Sequence, residues 1–251
     1  GISGQPDRDF RPGKFGRVEF TYEGEDYYTQ WMPPTLCDMS SPPEYIVAQM
    51  DYVGVDRAVL QHDRIYGRLD DYLGACLRRY PDRFVVLAQV DEWVGGRQDQ
   101  LDRLKRQVEE LGHSGLYFST GGFFHDDFQS SVNDADLEPL WELVERLGVT
   151  VHWYAAKLRL PAAEDYLGEL REFFTWAERH PGIPSVLTHG MNNLFYDKDK
   201  PDRFLVPDEI HRLVGLPDWR MELMLHLMAG DTAYPPYEPG LEKVMRELVE
   251  S

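Results

Sequence analysis

The chain has 251 residues and a formal charge of −18, from 44 Asp and Glu against 26 Lys and Arg. That sign argues against nucleic acid and anionic membrane as partners, since both need basic patches. The 42% apolar fraction, with 12 Phe, 14 Tyr and 6 Trp, can build the core of one large domain. Cys37 and Cys76 form no disulfide framework, no apolar run nears the roughly 18 residues of a membrane span, and no signal-peptide pattern opens the chain, so a reducing cytoplasm is expected.

The first readable element is "GRVEFTYEGEDYYTQWMPP", which alternates Val18, Phe20, Tyr22 and then Tyr27, Thr29, Trp31 around a Glu-Gly-Glu turn. This predicts a β-hairpin insertion near 16–33. It is either a lid over a site, lending Trp31 to its wall, or a surface decoration.

From there one junction recurs. "MDYVGVDRAVLQH", "LRRYPDRFVVLAQV", "VEELGHSGLYFS", "VERLGVTVHWYA", "AERHPGIPSVLTHG" and "IHRLVGLPDWRMELMLHL" each end a helix at Gly or Pro and lead into a mostly apolar run. Strands alternating with helices predict a parallel sheet in an α/β fold. Helices are expected near 43–53, 68–80, 96–112, 135–147, 162–180, 207–214 and 239–250. Inner strands are expected near 56–61, 84–90, 115–118, 149–153, 184–188 and 220–226.

Seven helices against six inner strands fit a (β/α)8 TIM barrel lacking strand 1, strand 8 and helix 8. The expectation is a single incomplete barrel domain over 1–251, a slice of a longer protein. Its open strand edges would admit a homo-oligomer. An open six-stranded doubly wound sheet is the alternative, although no GxGxxG or P-loop follows any strand.

A barrel site lies at the C-terminal ends of the strands. There the sequence places His62 in "LQHDRIYG", His152 in "VTVHWYA", His189 in "SVLTHG" and His226 in "LMLHLMAG". Four histidines on one face point to metal or proton chemistry, because neutral imidazole is the commonest metal ligand and titrates near neutral pH. Arg64 can clamp a carboxylate, or serve as a surface ion pair. Asn192 can hydrogen-bond a substrate, or simply shape a turn. With Trp153, these residues complete the expected substrate wall. No GxSxG elbow is present, so covalent catalysis has little support.

Three segments in order, "RYPDRFVVLAQVD", "LEPLWELVERLGVTVHW" and "ERHPGIPSVLTHG", resemble the amidohydrolase-related (amidohydrolase 2) family of the metal-dependent hydrolase superfamily, from about Pro43 onward. The resemblance implies a distorted eightfold barrel with His-x-His on strand 1, His on strands 5 and 6, and Asp on strand 8. His152 matches the strand-5 metal ligand. His189 matches strand 6, as a ligand or as the general acid/base of the decarboxylase branch. No His-x-His precedes Pro43, and the strand-8 Asp has no counterpart. The implied function is a metal-dependent hydrolase of a small carboxylate-bearing substrate, using zinc or alternatively manganese. The alternatives are a non-oxidative decarboxylase of an aromatic or enoic acid, and a non-catalytic barrel.

Overall fold

A computed structural model describes residues 11–30, 34, 37–38, 40–62, 66–121, 131–155, 163–190 and 206–222. Contacts gather these into two compact units. The first comprises Gly1–Tyr117, Gly122–Ser130 and Asp136–Val149, and the second Phe118–Gly121, Ser131–Ala135 and Thr150–Ser251.

The first unit opens with an antiparallel sheet of β1 (Arg11–Pro12), β2 (Arg17–Tyr22) and β3 (Glu25–Gln30). Register runs from Arg17 opposite Gln30 to Tyr22 opposite Glu25. Glu23 (φ 52°) and Gly24 (φ 84°) form the turn, both left-handed as a two-residue hairpin loop requires. Alternation buries Val18 and Phe20 of β2, whereas Tyr27 and Tyr28 of β3 are exposed. The short β1 strand had no signal in the sequence pattern.

The same unit holds α1 (Pro43–Val53), β4 (Ala58–Leu60), α2 (Asp70–Arg79), β5 (Phe84–Gln89), α3 (Gln98–Glu109), α4 (Glu138–Leu147) and the start of β6 (Gly115–Ser119). Pairings β4–β5 and β5–β6 are parallel. Pro43 starts α1, where its missing N–H costs nothing. Gly54 (φ 76°) and Gly148 (φ 65°) end α1 and α4 in the left-handed conformation that a helix C-terminus demands and glycine tolerates. Met50, Cys76 and Phe84 form a core under α1 and α2, joined by Ile46, Val47, Leu60 and Leu77. Cys37 is exposed, Cys76 is buried, and neither is in a disulfide.

The second unit contains β7 (Thr150–Tyr154), α5 (Ala163–Arg179), β8 (Ser185–Thr188), α6 (Asp208–Val214) and β9 (Trp219–Met221). The pairings β7–β8 and β8–β9 are again parallel. Its core is aromatic. Trp153 meets Trp176 edge-on at 4.7 Å, Phe173 at 4.9 Å and Phe118 at 5.5 Å, and stacks on Trp219 at 6.4 Å. Such pairs add about 0.5–1.5 kcal/mol each beyond the area they bury. The Trp153 indole N–H donates to Ser185 Oγ at 3.1 Å.

Strands β4 to β9 stand where the sequence places the six inner strands, in the same order between the same helices. Strand β9 is Trp219–Met221, and residues 223–226 of the expected strand lie outside the described residues. Glu222 follows it, a charged residue that the apolar run had concealed. The helix expected at 239–250 lies outside the described residues. Among the described residues no helix is long and apolar enough to cross a membrane.

Candidate metal and proton-transfer site

The site is built at the C-terminal ends of β7, β8 and β9, where strands in this kind of fold deliver side chains to a reaction. Alternation along β7 sends Trp153 to one face and its neighbours His152 and Tyr154 to the other. Trp153 is fully buried among Phe173, Trp176 and Trp219. Trp153, expected in the substrate wall, thus lies in the aromatic core. Tyr154 takes the neighbouring place, its ring edge-on to the His189 imidazole at 5.7 Å.

His189 ends the apolar run of β8 in a left-handed conformation, φ 57°. Its backbone N–H donates to Glu222 Oε2 at 3.2 Å, and its Nδ1 lies 3.1 Å from the same oxygen. That ring contact is short, but it lacks the alignment of a hydrogen bond, and Nδ1 is buried. The backbone locks the pair: Glu222 N–H donates to Leu187 O at 2.9 Å, and Gly190 N–H to Glu222 O at 3.3 Å. Contact with His189 outweighs burial and holds the Glu222 carboxyl below its ordinary range, with His152 adding to the effect. Burial pushes the His152 imidazole the other way, toward its neutral form, against the opposing pull of Glu222. One carboxylate thus touches His189 and acts through its charge on His152.

Glu222 was missed by sequence reasoning, which carried the strand on to His226. The signal was present: a glutamate inside a run otherwise fit for burial is an anomaly that marks a strand end.

His62 lies in the other unit, and its surroundings differ in kind. It is buried, and among the described residues neither ring nitrogen has a hydrogen-bond partner. Its backbone carbonyl accepts from Gln89 Nε2 at 3.2 Å. Asp70 and Arg103 lie nearby as a two-pronged ion pair (2.7 and 2.8 Å), with His113 beyond. Burial drives the His62 imidazole down to about 4, Asp70 opposing, Arg103 and His113 adding to the drop. The remaining expected substrate residues, Trp31, Arg64, Asn192 and His226, lie outside the described residues.

A divalent metal asks for unprotonated nitrogen and anionic oxygen. His152, kept neutral by burial, and His189, next to a carboxylate, suit it in kind. They fall short in number, because among the described residues no three His, Cys, Asp or Glu side chains have the spacing to hold a metal. Glu222 fits the part of a carboxylate that orients a neighbouring histidine.

Among solved structures, a TIM-barrel protein from Bordetella bronchiseptica is similar over 81% of this chain and 64% of its own, with TM-score 0.56 and 16% identity. A 2,6-dihydroxybenzoate decarboxylase from Rhizobium is similar over 74% of this chain and 69% of its own, with TM-score 0.51 and 17% identity. A dihydroxybenzoic acid decarboxylase from Polaromonas sp. JS666, with bound manganese and the inhibitor 2-nitroresorcinol, is similar over 75% and 68%, with TM-score 0.51 and 17% identity. These likenesses show the fold, an α/β architecture of the TIM-barrel type. No curated protein matches the chain. The amidohydrolase family model matches residues 25–227. With strands, helices and strand-end histidines in the order that the family resemblance implied, the chain belongs to the amidohydrolase family.

Proposed function

We propose that the chain carries part of the catalytic site of a metal-dependent enzyme acting on a small carboxylic acid, and that its reaction is the non-oxidative decarboxylation of an aromatic acid. The observation that carries this reading is the contact of His189 with the Glu222 carboxylate, whose charge also acts on His152. A bound divalent ion, held by His152 with ligands from outside the described residues and with His189 beside it, would orient the substrate carboxylate and offset its charge.

The chain's own residues supply the proton. Glu222 faces the His189 ring and holds its backbone N–H, which fixes the ring's direction. His189 gives a proton to the ring carbon that bears the carboxylate. The carbon–carbon bond then breaks, its electron pair restores the ring, carbon dioxide leaves, and His189 regains a proton from water. Two of the similar folds are decarboxylases of dihydroxybenzoic acids, and one of them holds manganese, which makes manganese the first metal to test, ahead of zinc.

Hydrolysis of a small carboxylate-bearing substrate is the second reading, favoured by the family itself. His189 would then move a proton from water to the leaving group. Manganese-loaded protein incubated with 2,6-dihydroxybenzoate and, separately, with a panel of lactones decides between them. Release of carbon dioxide supports the first reading and lactone opening the second. Turnover of neither, with no manganese retained, leaves a non-catalytic barrel.

A further inference from the structure

We propose that Tyr166, on α5, is a positioning residue for His189: its hydroxyl grips the Gly190 carbonyl and so fixes the left-handed turn that aims the imidazole at Glu222. The inference rests on the site reading above and adds a residue to it from a different element.

The geometry is specific. Tyr166 is fully buried, and its hydroxyl donates to Gly190 O at 2.7 Å, across 24 positions of sequence. Burial, with Glu169 adding to it, keeps the phenol protonated, so it stays a donor. The bond closes on the carbonyl of Gly190, the residue after His189, whose left-handed backbone is unusual for a residue with a side chain. A conformation of that kind persists only where its surroundings over-determine it. Here they do so from two sides. On the sheet side, His189 N–H and Gly190 N–H are both held by Glu222. A Cβ at Gly190 would lie 2.6 Å from Met221 Cγ and 2.9 Å from Leu187 Cδ2, so the turn has no room to shift that way. On the helix side, Tyr166 is the grip.

The same helix braces the neighbouring ring. Thr120 donates from Oγ1 to buried Glu169 of α5, and also lies 3.3 Å from the carbonyl of Tyr154, whose ring stands edge-on to His189. One face of α5 therefore holds the Gly190 carbonyl and, through Thr120, the residue whose ring flanks His189. Removing a single hydroxyl should leave the fold standing and loosen the aim.

The test is Tyr166→Phe, which deletes only that hydroxyl. Two readouts are taken: the side-chain ¹⁵N resonances of His189 in metal-free protein, and the affinity for Mn²⁺ alone. The expected result is a shifted and broadened His189 ring resonance, with Mn²⁺ affinity weakened about 10–100-fold, the usual loss when a residue orienting a ligand is removed. An unchanged ring resonance and unchanged affinity, with only a lower melting temperature, would reduce Tyr166 to packing and overturn the proposal. 3-Fluorotyrosine at position 166 gives a second measurement in an intact fold. It keeps the bond while making the hydroxyl more acidic, so the His189 resonance must move if the grip reaches the ring, and its constancy counts against the proposal. His152→Asn separates the two layers. If that variant binds Mn²⁺ as tightly as the parent, the metal reading fails, while the ring resonance in Tyr166→Phe still decides the positioning.

Discussion

Two histidines stand at strand ends, one in each unit, and their surroundings set them apart. His62 is buried with both ring nitrogens unpartnered, among the described residues, beside a satisfied Asp70–Arg103 pair. His189 keeps 12% of its side chain accessible, touches a carboxylate, and holds a strained backbone. A histidine forced neutral among buried groups can neither take up a proton cheaply nor reach a substrate. One that is partly open and paired with a carboxylate can do both. Strand-end position alone therefore overstates function, and the contrast lies in what faces each ring.

The sharpest way to break this contrast is to remove each ring in turn. His189→Asn keeps a residue that tolerates the left-handed conformation, so the backbone should survive. Loss of the proton carrier should lower turnover about 10²–10⁴-fold, with little change in melting. A variant that keeps its turnover would dissolve the difference between the two histidines.

Next in size is the ion pair under His62. Asp70 and Arg103 are each only 11% accessible at the side chain. Burial works against the Asp70 carboxylate, yet Arg103 holds its pKa below the usual value, with His62 and His113 contributing. Deleting one partner of a pair this buried leaves the other charge uncompensated, so Asp70→Ala should cost about 4 kcal/mol by chemical denaturation. A loss below about 1 kcal/mol would mean that Asp91, 3.8 Å from Arg103, takes over the neutralisation.

Much of this arrangement was legible in the sequence, and its limits were physical. Helix ends could be read because Gly54 and Gly148 do a job that few other residues can do. The hairpin could be read because a Glu-Gly pair between alternating runs satisfies a tight turn. His189 could be read because an apolar strand ending on a titratable group is a conspicuous break. Glu222 was hidden because three apolar residues, Leu223, Met224 and Leu225, follow it without pause. Tyr166 and Glu169 were hidden for another reason. Their partners, Gly190 and Thr120, lie 24 and 49 positions away, and a helical stripe marks a residue as inward-facing without naming what it touches.

The pH dependence of stability sharpens the contrast further. His62 has a folded value of about 4 against 6.5 for an unperturbed histidine. Above pH 6.5 the ring is neutral in both the folded and unfolded chains and contributes no difference. As pH falls from 6.5 toward 4, the unfolded chain takes up a proton that the folded chain refuses, so stability drops. The loss is complete below 4, at roughly 3 kcal/mol for a displacement of this size. Burial shifts His113 in the same direction and steepens the fall. Urea titrations between pH 7.5 and 4.5 should show it, and a flat profile would show that water reaches the His62 ring.

The smallest effect at neutral pH belongs to His62→Leu, and it discriminates most cleanly. Leucine is close to imidazole in bulk and brings no polar atom, so the two unpartnered nitrogens disappear. Replacing a buried unsatisfied group by an apolar one of similar shape is nearly neutral or stabilising. The backbone carbonyl of residue 62 still accepts from Gln89, so the strand end stays tied. Stability at pH 7.5 should therefore change by no more than about 1 kcal/mol. Across the acid range the variant should overtake the parent, because it carries no ring whose protonation favours the unfolded chain. The expected curves converge near pH 7 and separate progressively toward pH 4.5. A variant that instead loses turnover or metal while holding its stability would move His62 into the same class as His189.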